Sequence, residues 1–318
     1  MSIAIIGATG KLGGATLSAL LSHKLAAPSS IVALTSSAPG SDKWTQLEAK
    51  GVQVRHATFE DAGSLEKALG GVDRFFLVST PRIELDYNDA PPGEGREKHH
   101  KAAIDAAVRA GVRHVYYSSL AFGNPSKSGV MRAHVRTEAY LKSLRDGGKV
   151  EVTVLREGLY NESWPLYLGY FFDLQNDERG TVKLGGDGKI CWTAIADLGV
   201  ANALVLTQPG EEWAGRTVYL STAPAGARDM KEIAAMVSEA RTGKEKVEVE
   251  IVGRKEHERH YVEDRGMDRP GVEWWATTYD ALEDGECLID DPTLGRLLDS
   301  VGRKAVPIEE TVKEMVSK

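Results

Sequence analysis

The sequence predicts an α/β fold: a doubly wound parallel sheet carrying a smaller second α/β lobe toward the C-terminus. Three observations predict it. A short apolar run, Ile3 to Ile6, enters a glycine-punctuated loop and then a helical pattern, "IAIIGATGKLGGATLSALL". Short apolar strands and amphipathic helices then alternate through about residue 155. The chain is 318 residues long, enough for one large α/β domain or a dinucleotide-sized domain with a modest second lobe.

The first strand, loop and helix form one unit. Gly7 and Gly10 let the backbone approach a pyrophosphate closely, Gly13 lets the helix pack on the strand, and the helix N-terminus offers oriented N–H donors. Because this spacing follows a strand and opens a helix, it reads as dinucleotide binding in a Rossmann fold rather than as a plain turn. Gly7, Thr9, Gly10, Lys11, Leu12 and Gly13 are the expected contacts.

Further units follow. "SIVALTS" is a second strand, "DKWTQLEAKG" a helix, "VQVRHATF" a third strand and "GSLEKALGGV" a helix. "DRFFLVST" is a fourth strand, "REKHHKAAIDAAVRAGV" a helix and "HVYYSSLA" a fifth strand. Such alternation means parallel strands, right-handed crossovers and a ligand crevice at the strands' carboxyl ends. Those ends supply Thr35, Ser36, Ser37, Thr58, Phe59, Ser79, Thr80 and Pro81 as further cofactor contacts, and Ser118 and Ser119 as hydroxyls near the reacting atoms.

The second strand ends Leu34-Thr35-Ser36-Ser37, without the carboxylate that usually holds the adenosine ribose of NAD. Ser36 and Ser37, with Lys11 and Lys43, suit a 2′-phosphate, although no arginine supplies a bidentate contact. NADP(H) is therefore the expected cofactor, with NAD(H) the alternative.

Beyond Arg156 the pattern loosens. "REGLYNESWPLYLGYFFDLQ" is aromatic and suits a cap, and "GTVKLGGDGKICWTAI" reads as a hairpin turning at Gly185-Gly186-Asp187-Gly188. "AIADLGVANALVL" and "RTVYLST" are expected to rejoin the main sheet. The division is thus 1–155 for the Rossmann domain, completed by about 190–222, with 156–189 and 223–318 in the smaller lobe.

Composition excludes several classes. A net charge of -7 gives no global attraction to nucleic acid or anionic membrane, and no apolar run is long enough to span a bilayer. Cys191 and Cys287 are far apart and lack a CxxC partner, so neither a disulfide framework nor a zinc site is expected. The apolar start lacks a basic leader, and Asn161-Glu162-Ser163 is a chance sequon. A cytoplasmic protein, monomeric or homodimeric, without a metal, is expected. His99-His100 and His257-x-x-His260 lie in charged stretches and read as solvated faces. "RIELDYNDAPPGEGREK", after the fourth strand, reads as a tolerated surface insertion or a lid, and Trp274-Trp275 as closing a pocket or an interface.

The stretches "GATGKLGG", "AAVRAGVRHVYYSSLAFG", "AHVRTEAYLKS" and "TVLREGLYNESWP" together resemble the NmrA-like family of atypical short-chain dehydrogenases. The last two are similar to those of its type 2 quinone oxidoreductases. The likeness runs to about residue 205. It implies NAD(P)H-dependent hydride transfer to a quinone-like or conjugated aromatic acceptor. The family also holds dinucleotide-sensing regulators, so a non-catalytic sensor is the alternative, as is a redox-neutral enzyme of secondary metabolism.

Members with a lysine place it four residues before the helix glutamate; counted from Glu138 that position is His134, and the tyrosine position is Val130. No tyrosine in the chain is followed four residues later by lysine. Hydride transfer to a quinone yields a delocalised anion that needs little proton assistance, so His134, with an ordinary pKa near 6.5, is the expected partner of the acceptor oxygen. Glu157 is placed either to orient it or to pair with Arg156. Tyr160 matches a position beside nicotinamide and substrate, and Tyr117, Phe122, Asn161, Trp164 and Trp192 are the expected pocket walls.

Overall fold

The computed structural model describes residues 1–171, 177, 179–241 and 246–317. Among them are nine strands: β1 (Ile3–Ile6), β2 (Ile31–Thr35), β3 (Gln53–His56), β4 (Arg74–Leu77), β5 (His114–Leu120), β6 (Glu151–Glu157), β7 (Thr181–Leu184), β8 (Thr217–Leu220) and β9 (Glu248–Ile251). Seven form a sheet in the order β3-β2-β1-β4-β5-β6-β8, and every pairing in it is parallel. Strands β1 to β6, with β8, thus build the predicted Rossmann sheet. The order reverses between β1 and β4, and at such a switch point the strands diverge to leave a ligand crevice.

Burial explains the strand composition. β1 and β2 are buried at every residue, as expected where helices cover both faces. On one face α1 (Lys11–Ser22), α2 (Asp42–Glu48), α7 (Ile195–Thr207) and α11 (Thr293–Ser300) contribute Leu17, Leu47, Leu198, Val205 and Leu297 to a core against Ile3, Ile5 and Leu155. On the other, α3 (Ala62–Leu69), α4 (Glu97–Arg109) and α5 (Val130–Asp146) bury Leu65, Ile104 and Leu141 against Phe75, Val115 and Val154. Helix α11, expected in the smaller lobe, therefore belongs to the sheet's own packing, and Arg303 just beyond it donates to Asp197 of α7 at 2.6 Å.

The smaller lobe contains α6 (Trp164–Tyr167), α8 (Met230–Ala240), α9 (Arg254–Arg259), α10 (Arg269–Glu283) and α12 (Ile308–Val316). Its core gathers Trp164, Tyr167, Ile233, Trp275, Tyr279 and Val312 with Phe122 and Met131 of the first half. The expected hairpin at Gly185–Gly188 is not formed. β7 pairs in parallel with β9, from Thr181 opposite Glu248 to Leu184 opposite Ile251. The glycines serve a close approach instead: a Cβ on Gly188 would lie 2.1 Å from the Leu282 carbonyl oxygen of α10.

One histidine of each pair departs from the expected solvated face: His100 and His257 are fully buried on the inward faces of their helices, while His99 and His260 are partly exposed.

Candidate active site

The glycine loop folds as its sequence requires. Gly7 has φ +72°, a left-handed value that favours glycine, and Gly10 N donates to Gly7 O at 2.8 Å, closing the turn. A Cβ on Gly13 would lie 2.3 Å from Gly7 O, so strand and helix meet there at a distance only glycine permits. Thr9, Gly10 and Lys11 are exposed at the start of α1, while Leu12 and Gly13 are buried behind them. Among the described residues no side chain caps this helix N-terminus, which leaves its N–H groups free for an anion. These residues fit a pyrophosphate.

The other strand ends are less uniform. Thr35 is buried and its Oγ1 accepts from Ser37 N at 3.1 Å, while Ser36 and Lys43 are exposed beyond it. Thr58 donates to Glu60, and Phe59 stacks on His99 with ring centroids 5.9 Å apart. Ser79 N donates to Ser118 Oγ at 3.0 Å, Thr80 N donates to His100 Nε2 at 3.1 Å, and Pro81 is exposed.

Beyond these ends, between the two lobes, lies an apolar cavity of about 430 Å³. Tyr160 and Pro81 line it together with Leu120, Val130, Gly158 and Leu159. Its other walls are Ile83 and Tyr87 from the segment after β4, Leu166, Tyr167 and Phe171, and Met267, Val272, Trp274 and Trp275. Tyr87 and Trp274 face each other at 5.6 Å, and Tyr167 meets Trp275 edge-on at 5.0 Å. Asp268, at the N-terminus of α10, is the charged residue of the lining. A space of this size with aromatic walls suits a flat, weakly polar molecule.

Several predicted residues stand elsewhere. Tyr117, Phe122, Asn161, Trp164 and Trp192 do not line the cavity; all are buried. Tyr117 lies under the sheet with α5, and Phe122, Trp164 and Trp192 fill the core of the smaller lobe, where large apolar surface is worth most. Asn161 is turned to the tail, donating to Val306 O and Thr311 Oγ1, each at 3.1 Å. Ser118 and Ser119 are buried: Ser118 accepts from Ser79, and Ser119 donates to Glu138 at 2.6 Å. Arg156 pairs with Glu138 at 2.7 Å, not with Glu157. Glu157 lies on the opposite face, in reach of Asn202 on α7, where burial pushes its carboxyl well above the usual range. It does not orient His134.

His134 is buried behind the cavity wall one turn after Val130, and its Nδ1 lies 2.8 Å from the Tyr117 hydroxyl. Burial, with the positive charges of Arg96 and Arg156, holds its pKa well below the ordinary value. It is neutral at pH 7 and so is not an imidazolium acid. Tyr160, on the wall, is partly exposed, and its phenol is pushed up by burial and by Glu157 and Glu162; it stays protonated.

The segment after β4 is built into this site. Asp86 and Arg96 form an ion pair at 2.6 Å with both side chains almost fully buried. Arg96 also donates to Val130 O at 3.0 Å, fastening the segment to the start of α5. Of the two readings of the insertion, the wall over the crevice is the one this packing matches. Ile83 and Tyr87 lie in the segment read as an insertion or a lid, while Met267 carried no sequence signal.

The model of the NmrA-like family matches residues 1–260. The chain belongs to the NmrA-like family. An NmrA-like family domain-containing oxidoreductase of Aspergillus flavus is 31% identical over 99% of this chain and 95% of its own length. Among solved structures, the Citrobacter triphenylmethane reductase complexed with NADP(H) superposes with a TM-score of 0.78 at 28% identity, over 99% of each chain. The NADPH-dependent quinone oxidoreductase of Escherichia coli, complexed with NADPH, also gives 0.78 at 28% identity, over 98% of this chain and 99% of that one.

Proposed function

We propose that the chain is an NADPH-preferring reductase whose acceptor is a quinone or a dye-like conjugated aromatic held in the cavity between the lobes. The observation that carries this reading is the cavity itself: it opens at the carboxyl edge of the sheet, where a dinucleotide on the glycine loop would end, and its walls are aromatic. The relatives named above are oxidoreductases, and the two structures were solved with NADP(H) or NADPH.

Each part of the site has a role in this reading. The free N–H groups at the start of α1 bind the pyrophosphate. Ser36 and Ser37 stand at the end of β2, where a carboxylate selective for NAD is missing, and with Lys43 at the start of α2 favour a phosphorylated ribose. Bound NADPH supplies the hydride. Tyr87, Tyr167, Trp274 and Trp275 hold the acceptor flat and exclude water, and the protonated Tyr160 phenol donates a hydrogen bond to its oxygen. His134 acts from behind the wall as a neutral imidazole. The same reading keeps the protein cytoplasmic; no helix among the described residues is long and apolar enough to cross a membrane.

The test is NADPH oxidation by the purified protein across quinones, azo dyes and triphenylmethane dyes, with NADH as control. Turnover favouring NADPH supports the reading. Tight NADPH binding with no acceptor reduced would return the chain to a sensing or redox-neutral role.

A further inference from the structure

Behind the inner end of the cavity lies a fully buried polar cluster: His100, Tyr117, His134 and Thr137, each 2% exposed or less. Its protons can be placed by counting donors. The Thr80 amide can only donate, and it points at His100 Nε2 at 3.1 Å. That nitrogen must therefore keep its lone pair, and the His100 proton sits on Nδ1. Nδ1 lies 2.9 Å from Thr137 Oγ1, whose own proton goes to Ala133 O at 2.7 Å, so the threonine oxygen is free to accept.

His100 Nδ1 also lies 3.3 Å from the Tyr117 oxygen. With no lone pair on that nitrogen, the shortest contact open to the Tyr117 proton is His134 Nδ1 at 2.8 Å, although the Thr137 and Ser79 hydroxyls also lie in reach. His134 Nδ1 is then an acceptor, and a neutral His134 carries its proton on Nε2. Among the described residues, Nε2 makes no hydrogen bond of its own.

We propose that His100 is a positioning residue that, through Tyr117, fixes His134 as the Nε2–H tautomer and so provides a neutral N–H donor just behind the Val130 wall of the acceptor cavity. The residues next to the relay place it there. Pro81 follows Thr80 and Val130 precedes His134 by one turn, and both line the cavity, while His134 stands behind them. Burial and the Arg96 charge keep both rings neutral, so the donor persists across the neutral range. The tautomer follows from this geometry alone, while its use on a bound oxygen rests on the reductase reading.

The tautomer is read directly by long-range ¹H–¹⁵N correlation spectra of the ¹⁵N-histidine protein at pH 7, with His134→Gln and His100→Asn assigning the signals among eight histidines. The expected result is His134 in the Nε2–H form and His100 in the Nδ1–H form. The isosteric Tyr117→Phe keeps the packing but removes the donor; His134 should then become a mixture of tautomers. In that variant kcat with a quinone should fall about tenfold to a hundredfold while the KM for NADPH stays within about twofold. A wild-type His134 that is Nδ1–H or cationic at pH 7, or a Tyr117→Phe protein whose His134 spectrum is unchanged, overturns the proposal. If the tautomers are as stated but the wild-type protein reduces no acceptor, the relay stands and the reductase reading fails.

Discussion

The cofactor half and the acceptor half of the crevice are built in opposite ways. In the proposed reading the pyrophosphate end of the cofactor half depends on one contiguous segment, Gly7 to Gly13, whose spacing, turn and helix start all lie within seven residues. The acceptor half draws its walls from residues 81–87, from Leu120 and Val130, from 158–171 and from 267–275. The first is fixed by backbone geometry that only glycine satisfies. The second is fixed by packing between lobes, where size and shape of side chains matter more than identity. Substitutions should therefore act sharply in the first and gradually in the second.

The largest effect is expected at Gly13. A Cβ there would sit 2.3 Å from Gly7 O, so Gly13→Val must push α1 off β1, at a cost on the order of 1–3 kcal/mol in stability. NADPH affinity, measured by titration calorimetry, should fall at least about a hundredfold, close to 2.7 kcal/mol. Gly10→Ala is the softer probe, since its Cβ would lie 3.1 Å from the same oxygen. Unchanged NADPH affinity in both variants would show that the cofactor does not lie on this loop. In the other half, Tyr87→Ala removes a partly exposed ring facing Trp274. The KM for a quinone should rise roughly tenfold, the weight of about 1.4 kcal/mol of lost apolar contact, while NADPH affinity holds. Equal loss of both would mean that the two halves are not separable.

This contrast also explains what the sequence revealed. The parallel sheet, its helices and the glycine loop were legible because their signals are local: apolar runs of strand length, helical periodicity and a fixed glycine spacing. The aromatic walls were legible only in part: Tyr160 and Trp274-Trp275 were expected at a pocket and line it, but Trp164 and Trp192, expected there too, fill the core, because an aromatic residue looks the same in sequence in either place. His100 was missed for a related reason. Its neighbours Glu97, Lys98 and Lys101 make the stretch look solvated, yet one helical face of it is buried against Tyr117.

Those buried histidines give the molecule a predictable acid response. His100, His114, His134 and His257 all have pKa values held down by burial, to about 4 for His114 and His257. The unfolded chain takes up protons below a pKa of about 6.5 that the folded chain refuses, so stability is full above that value and falls as pH drops through the window toward 4. Each such histidine contributes a slope of up to about 1.4 kcal/mol per pH unit. Urea unfolding at pH 7.5, 6 and 5 should show a plateau and then a steep decline; equal stability at 7.5 and 5 would mean that these rings ionise freely in the fold.

The smallest effect runs the other way and lies where the two halves join. Glu157 ends β6 directly before the wall residues Gly158 to Tyr160, fully buried with neither carboxyl oxygen hydrogen-bonded among the described residues. The Asn202 amide beside it lowers the pKa, but without hydrogen-bond geometry this is outweighed by burial, which favours the protonated carboxyl. Because its folded pKa is raised, its contribution to stability is full below the unfolded value of about 4.3 and is lost as pH rises from there toward the folded value. Glu157→Gln keeps the shape and removes the titration. Its melting temperature should match wild type near pH 4.5 and exceed it by a few degrees at pH 8, with the acceptor KM unchanged because the side chain lies behind the wall. A variant less stable than wild type at pH 8 would mean that the carboxylate is ionised in the fold and held by a partner at this junction, and that the floor beneath Tyr160 is polar rather than dry.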